Sequence, residues 1–226
     1  MKTGVEKFDG IGMTSARTRA RMVERLREQG IRDESVLSAM AAVPRHIFVE
    51  EALAIRAYED SPLPIGSGQT ISQPYVVARM TELLRAGGRL SRVLEIGTGC
   101  GYQTAVLAHL ADEVYTVERI ASLVAKARRN LRSLKLDNVR IKHGDGSKDL
   151  GEDLEVEGII VTAAATQVPV GLFRHLGMGG RMVLPLAGRD DDRGLQRLTT
   201  IDKTPTAMRE QTYDAVRFVP LLPGLA

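Results

Sequence analysis

Arg92-Val93-Leu94-Glu95-Ile96-Gly97-Thr98-Gly99-Cys100-Gly101-Tyr102 is the stretch from which the fold can be read. A short apolar run carries an acid near its end. Glycines follow at alternate positions, and a helical pattern then runs over 102–111. A strand, a glycine turn and a helix in that order can hold a nucleotide-like ligand. The glycines let the backbone turn sharply and approach the ligand, and the helix start presents unpaired N–H groups. A glycine turn with no ligand is the competing reading.

The spacing narrows the ligand. A dinucleotide fingerprint, G-x-G-x-x-G, accepts Gly97 and Gly99 but places Tyr102 where its last glycine belongs, which disfavours a nicotinamide dehydrogenase. G-x-G-x-G after an acid-bearing strand resembles the first motif of the S-adenosylmethionine methyltransferases with a Rossmann-like sheet. That cofactor has no pyrophosphate for the helix to cradle.

Outward from this stretch the chain alternates. Strand 92–96 leads to helix 102–111, strand 113–118 to helix 120–134, and strand 138–143 ends before Gly144-Asp145-Gly146. Strand 156–162, a short helix at 168–175, a glycine turn at 177–180 and strand 181–186 follow. The pattern predicts an α/β fold, a mostly parallel, doubly wound sheet with helices on both faces. Leu195–Ile201 and Tyr213–Leu221 have no clear helix between them and predict an antiparallel edge, after a solvated turn at Gly188–Gly194 that carries Asp190, Asp191 and Asp192. Upstream, helices are predicted from Thr14 or Ser15 to Gln29, from Asp33 or Ser35 to Ala42, around 50–57, and from Pro74 to Arg85. They make an N-terminal helical extension. Residues 58–74, with three prolines and two glycines, read as a long irregular segment with a function. The expected organisation is a loose tail over 1–12 and a single domain over 13–226, in which 13–90 hold the helices and active-site segment and 91–226 the cofactor-binding sheet.

Composition excludes several classes. The chain of 226 residues has no apolar run of membrane-spanning length, and residues 1–12 have no apolar signal core. A single cysteine, Cys100, allows no intrachain disulfide, so the cytoplasm is the expected compartment. Cys100 has no histidine near it in sequence and reads as a small loop residue rather than a nucleophile. His46, His109, His143 and His175 form no ligand-spaced pair, so no metal is expected. The net charge of +3 is small, and no tryptophan is available as a base-stacking platform. The densest positive stretch, Arg17 to Arg27, is interrupted by Glu24 and reads as a solvated helix face. Neither nucleic acid nor membrane is an expected partner, and a monomer is the default.

In this topology ligands lie beyond the carboxyl ends of the strands. Glu95 and the Gly97–Gly99 turn end the first strand, and Glu118, nineteen residues after Gly99, ends the second. Asp145 and Gly146 follow the third. An acid at Glu118 suits ribose hydroxyls, and Asp145 suits an adenine amino group or forms a turn.

Gln69-Thr70-Ile71-Ser72-Gln73-Pro74 resembles the hallmark of one family, the protein-L-isoaspartate (D-aspartate) O-methyltransferases. Val43–Val49, Leu94–Gly101, Gly144–Gly146, Ile160–Ala165 and Arg217–Leu221 resemble further blocks of it. The resemblance implies S-adenosyl-L-methionine as cofactor and Ser72 as the functional serine. It implies cofactor contacts at Gln69, Thr70, Ile71, Ser72, Tyr75, Glu95, Glu118, Asp145 and Gly146. Some members have a hydroxyl residue after the terminal Val-Pro-Leu; this chain has Leu222, so a side-chain hydroxyl contact is not available there. The implied reaction methylates the α-carboxylate of L-isoaspartyl and D-aspartyl residues in damaged proteins. The ester then closes to a succinimide, which partly hydrolyses to normal aspartate. A carboxylate is already ionised at neutral pH, so no general base is needed. The alternatives are a methyltransferase of the same fold acting on RNA or a small molecule, and a non-catalytic adenosine-binding protein.

Overall fold

The computed structural model describes residues 10–148, 153–187 and 195–226. The expected turn at Gly188–Gly194 and most of the expected tail lie outside the described residues.

Seven strands form the main sheet: β3 (Arg92–Ile96), β4 (Glu113–Glu118), β5 (Val139–His143), β6 (Val156–Val161), β7 (Leu176–Ala187), β8 (Gln196–Lys203) and β9 (Met208–Val216). Their spatial order is β5-β4-β3-β6-β7-β8-β9. Strands β3 to β7 pair in parallel, while β8 and β9 add an antiparallel edge. The chain walks outward from β3 to β5, then returns to β3's other side. This reversal opens a crevice between β3 and β6 at their carboxyl ends.

Period-two alternation sorts the core. Val93, Val114, Ile160 and Val183 meet Val76, Met80, Leu83 and Leu84 of α3 (Pro74–Arg85) and Leu107 of α4 (Tyr102–Ala108). Leu94, Ile96, Val117, Ile159, Val161, Met182 and Leu184 face the other way, toward Leu154 and Leu172. Residues of α5 (Ala121–Ser133) share a third cluster with α4 and with α1 (Ala16–Glu28) and α2 (Glu34–Ala42). Ser15 and Asp33 cap α1 and α2 through their side chains.

The extension is fixed onto the start of α4. Arg45 is fully buried, donates to the Ala57 carbonyl at 2.7 Å and lies 4.7 Å over the Tyr102 ring. Phe48 meets the same ring edge-on at 5.5 Å. The basic stretch of α1 is largely engaged: Arg19 is buried, Arg25 donates to the Tyr58 carbonyl, and Arg27 pairs with Glu24 and Glu34.

Four local expectations need correction. Segment 58–74 contains a β-hairpin, β1 (Leu63–Gly66) and β2 (Gln69–Ile71), too short to show alternation. Its turn places Gly66 and Gly68 at positive φ and Ser67 at 53°. The glycines at 177–180 do not precede the last parallel strand. They form a bulge within β7, since Val156 faces Leu176 and Gly158 faces Arg181. The segment at 168–175 is a 3-10 turn, Val170–Arg174. Finally, β9 lies five residues upstream of its expected start: 209–212 are polar and Met208 is exposed, and pairing with β8 at a solvent-facing edge, not burial, makes them a strand.

Candidate active site

The glycine turn is held by a buried polar network. Glu95 is 0% exposed, and its Oε2 accepts hydrogen bonds from Thr104 of α4 at 2.5 Å and Thr116 of β4 at 2.6 Å. Thr116 gives its one proton to Glu95, so Thr98 in the turn donates to Thr116, across 2.6 Å. Three threonines and one acid thus tie turn, strand and helix together. Burial pushes the Glu95 carboxyl up to about 8, against the pull of the two threonine hydroxyls. Its Oε1 has no partner among the described residues. Gly97 has φ of +97°, and a Cβ there would lie 2.3 Å from Thr162 Oγ1, so both conformation and space demand glycine.

Glu118 closes the turn from β4. Its two carboxylate oxygens accept from the backbone N–H groups of Gly99 and Ile120, each at 2.9 Å. The acid is thereby aimed at the crevice, with lone pairs left for a diol.

A cleft opens here. Its floor includes Ile96, Gly97, Gly99, Glu118 and Gly146, and its cover comes from Ile65, Gln69 and Thr70 of the hairpin. The hairpin is anchored over α5: Ser67 meets Ser122 at 3.1 Å, and Lys126 donates to the Ile65 carbonyl at 3.1 Å and to Glu50 at 2.6 Å.

The far wall was not foreseen as such. Val219-Pro220-Leu221-Leu222 runs across the cleft as a strap. On one side Ala164 exchanges hydrogen bonds with Val219 and Leu221. On the other, Gly224 donates to Asp145 at 2.7 Å and accepts from Arg119 at 2.9 Å. Leu222 stands in the cleft wall.

A second cavity adjoins the first. It is an open groove between Pro62, Ser72, Gln73, Tyr75 and Val76 on one side and the continuous run 214–219 on the other. Thr70, Thr162 and Val219 line both cavities.

The sequence-derived residues therefore divide. Gln69, Thr70, Gly97, Gly99, Glu118 and Gly146 line the cleft. Ser72 and Tyr75 line the adjoining groove. Ile71 is core, and Glu95 lies in the buried network behind the turn. Asp145 is turned toward Ser147 and Gly224. Burial opposes its ionisation, but the Ser147 hydroxyl, the two backbone N–H groups and Lys148 together hold its carboxyl down to about 2. Thr162, inside the Ile160–Ala165 block, and Arg119 were not among the site residues expected from the sequence; their position directly after β6 and β4 was the available signal.

A family model described as protein-L-isoaspartate(D-aspartate) O-methyltransferase matches residues 17–225. A protein-L-isoaspartate O-methyltransferase of Azoarcus sp. is 61% identical over 211 residues, covering 93% of this chain and 95% of its own. One of Methylobacillus flagellatus is 57% identical over 221 residues, covering 96% and 97%. A Plasmodium falciparum structure described as a protein-L-isoaspartate O-methyltransferase in complex with S-adenosyl-L-homocysteine superposes with a TM-score of 0.78 at 26% identity, over 90% of this chain and 98% of that one. A second structure of that name gives 0.80 at 27% identity, over 92% and 67%.

Proposed function

This chain belongs to the protein-L-isoaspartate (D-aspartate) O-methyltransferase family, and we propose that its cleft holds S-adenosylmethionine while the adjoining groove presents the acceptor carboxylate. The enzyme methylates isoaspartyl residues of damaged proteins at the expense of that cofactor. The observation that carries the assignment of cavities is their shared wall, Thr70, Thr162 and Val219, because a methyl group must cross between donor and acceptor.

The residues present fit the cofactor. Glu118 at the rim accepts from ribose hydroxyls and would repel a phosphate. Gly97 and Gly146 let the floor of the cleft pack closely, since a Cβ would lie 2.3 Å from Thr162 Oγ1 at the first and 2.5 Å from Ile96 Cγ2 at the second. Gln69 and Thr70 cover the site from the hairpin, and the strap encloses its far side. Glu95 acts behind the turn, keeping Gly97 and Gly99 in place through Thr98, Thr104 and Thr116. Asp145 acts through the strap and the Gly144–Gly146 turn. Ile71 packs the hairpin to the core, and Tyr75 begins α3 beside the groove.

Bound there, S-adenosylmethionine supplies an electrophilic methyl on a positive sulfur; the carboxylate gives the electron pair for the new O–C bond, the broken C–S pair returns to sulfur, and no proton moves. The protein's tasks are to strip water from the carboxylate and align it. Ser72, in the groove beside Thr70, orients it by donating its hydroxyl proton. Ser72→Ala should lower kcat on an isoaspartyl peptide by about tenfold or more, the scale of a lost hydrogen bond to a charged group, while cofactor affinity stays within about twofold. An unchanged kcat removes Ser72 from the reaction.

We read residues 13–226 as one domain, because α1 and α2 share a core with α4 and α5, and take a monomer as its working state. Among the described residues no helix is long and apolar enough to cross a membrane. A buried free Cys100 suits the reducing cytoplasm. An RNA acceptor is the weaker reading, because most arginines of the α1 basic stretch are spent on this chain's own carboxylates, carbonyls and core.

A further inference from the structure

Thr162 follows β6 directly and, among the described residues, is one of three that line both cavities. Its hydroxyl lies 2.7 Å from the Gly97 carbonyl oxygen and 3.0 Å from that of Ile96. Both are acceptors only, so the single hydroxyl proton is committed to the backbone. What Oγ1 has left to offer is lone pairs. The space where Gly97 would carry a Cβ is filled by this same oxygen.

A lone-pair oxygen at this boundary discriminates by charge. The methyl-bearing sulfonium is positive and its C–H groups are polarised, so they make weak C–H···O contacts. The demethylated thioether is neutral and has no methyl to present there. We propose that Thr162 is a positioning residue that holds the charged methyl donor in preference to its neutral product. Ser72 and Thr162 thus have complementary duties: a donor for the anion on the groove side and an acceptor for the cation on the cleft side. This rests on the assignment of the two cavities above.

The test compares affinities of the full chain for S-adenosylmethionine and S-adenosylhomocysteine by isothermal calorimetry, in the wild type, Thr162→Val and Thr162→Ser. Valine keeps the shape, and the Ile96 carbonyl keeps its bond from the Thr162 backbone N–H at 2.9 Å. Thr162→Val should weaken S-adenosylmethionine by about fivefold, the size of one or two weak contacts, and leave S-adenosylhomocysteine within about twofold. Its kcat on an isoaspartyl peptide should fall, and Thr162→Ser should restore both the ratio and kcat. Equal weakening of both ligands would reduce Thr162 to a brace for Gly97 and overturn the proposal, as would no change in either. Should the valine variant fail to fold, Thr162→Ala is read for the same ratio. Wild-type protein that binds neither ligand would instead overturn the assignment of the cleft.

Discussion

Glu95 sets the behaviour of the glycine turn, and it does so from behind. Its carboxyl is buried and prefers its neutral form up to about 8, whereas an unfolded glutamate ionises near pH 4. A folded pKa above the unfolded one means stability that is present at low pH and lost as pH rises through the folded value. Glu95→Gln should therefore gain on the wild type as pH rises from about 4 to about 8, and urea midpoints across that range measure it. A gap between the two proteins that does not change with pH would contradict the placement of this acid. Gly97 is the other decisive residue. At a φ of +97° with only 2.3 Å of room, Gly97→Ala must twist the turn and displace Thr162. Cofactor affinity should fall by at least about tenfold, with stability lowered by about 1–3 kcal/mol, read by calorimetry and urea melts.

Two elements beyond the sheet shape the site, the hairpin and the C-terminal strap. The strap is gripped at Gly224 by Asp145, through the backbone N–H, and by Arg119, through the carbonyl. Asp145→Ala should loosen it and speed S-adenosylhomocysteine dissociation several-fold in stopped flow, and Arg119→Ala should act in the same direction. An unchanged rate in both would show that the strap does not govern release. The Asp145 pKa is depressed to about 2, so its contribution is full above an unfolded value near 4 and disappears as pH falls from there through about 2. Asp145→Asn should accordingly cost stability at pH 5 and little at pH 2, which acid-range urea melts would show.

These elements also mark how far the sequence could be read. Strands β3, β4 and β6 were legible because buried parallel strands read as largely apolar runs. Glu118 and the glycines were legible from their place at strand ends. The hairpin was not, because strands of four and three residues carry too little pattern. The strap was read as a strand, since Arg217–Leu221 is apolar in the way an edge strand is. Its real partners, Ala164, Asp145 and Arg119, are all distant in sequence. Asp145 between glycines offered both a ligand contact and a turn, and in the structure it makes the turn and the latch.

At the scale of the molecule, the reversal of strand order between β3 and β6 creates the crevice, and everything else narrows it. The N-terminal extension, fastened by Arg45 and Phe48 on Tyr102, delivers the hairpin and Ser72 to a site that the sheet alone would leave open. The groove beside the cleft is open and runs along the continuous stretch 214–219. A protein acceptor suits that shape, and an acceptor that is already an anion needs no base to ionise it. The most direct measurement offers the full chain three acceptors with labelled S-adenosylmethionine: an isoaspartyl peptide, its normal aspartyl twin and bulk RNA. Base-labile label on the isoaspartyl peptide, with the aspartyl twin and the RNA left unlabelled, is the predicted result. Label on RNA alone, or equal label on the two peptides, would contradict the account.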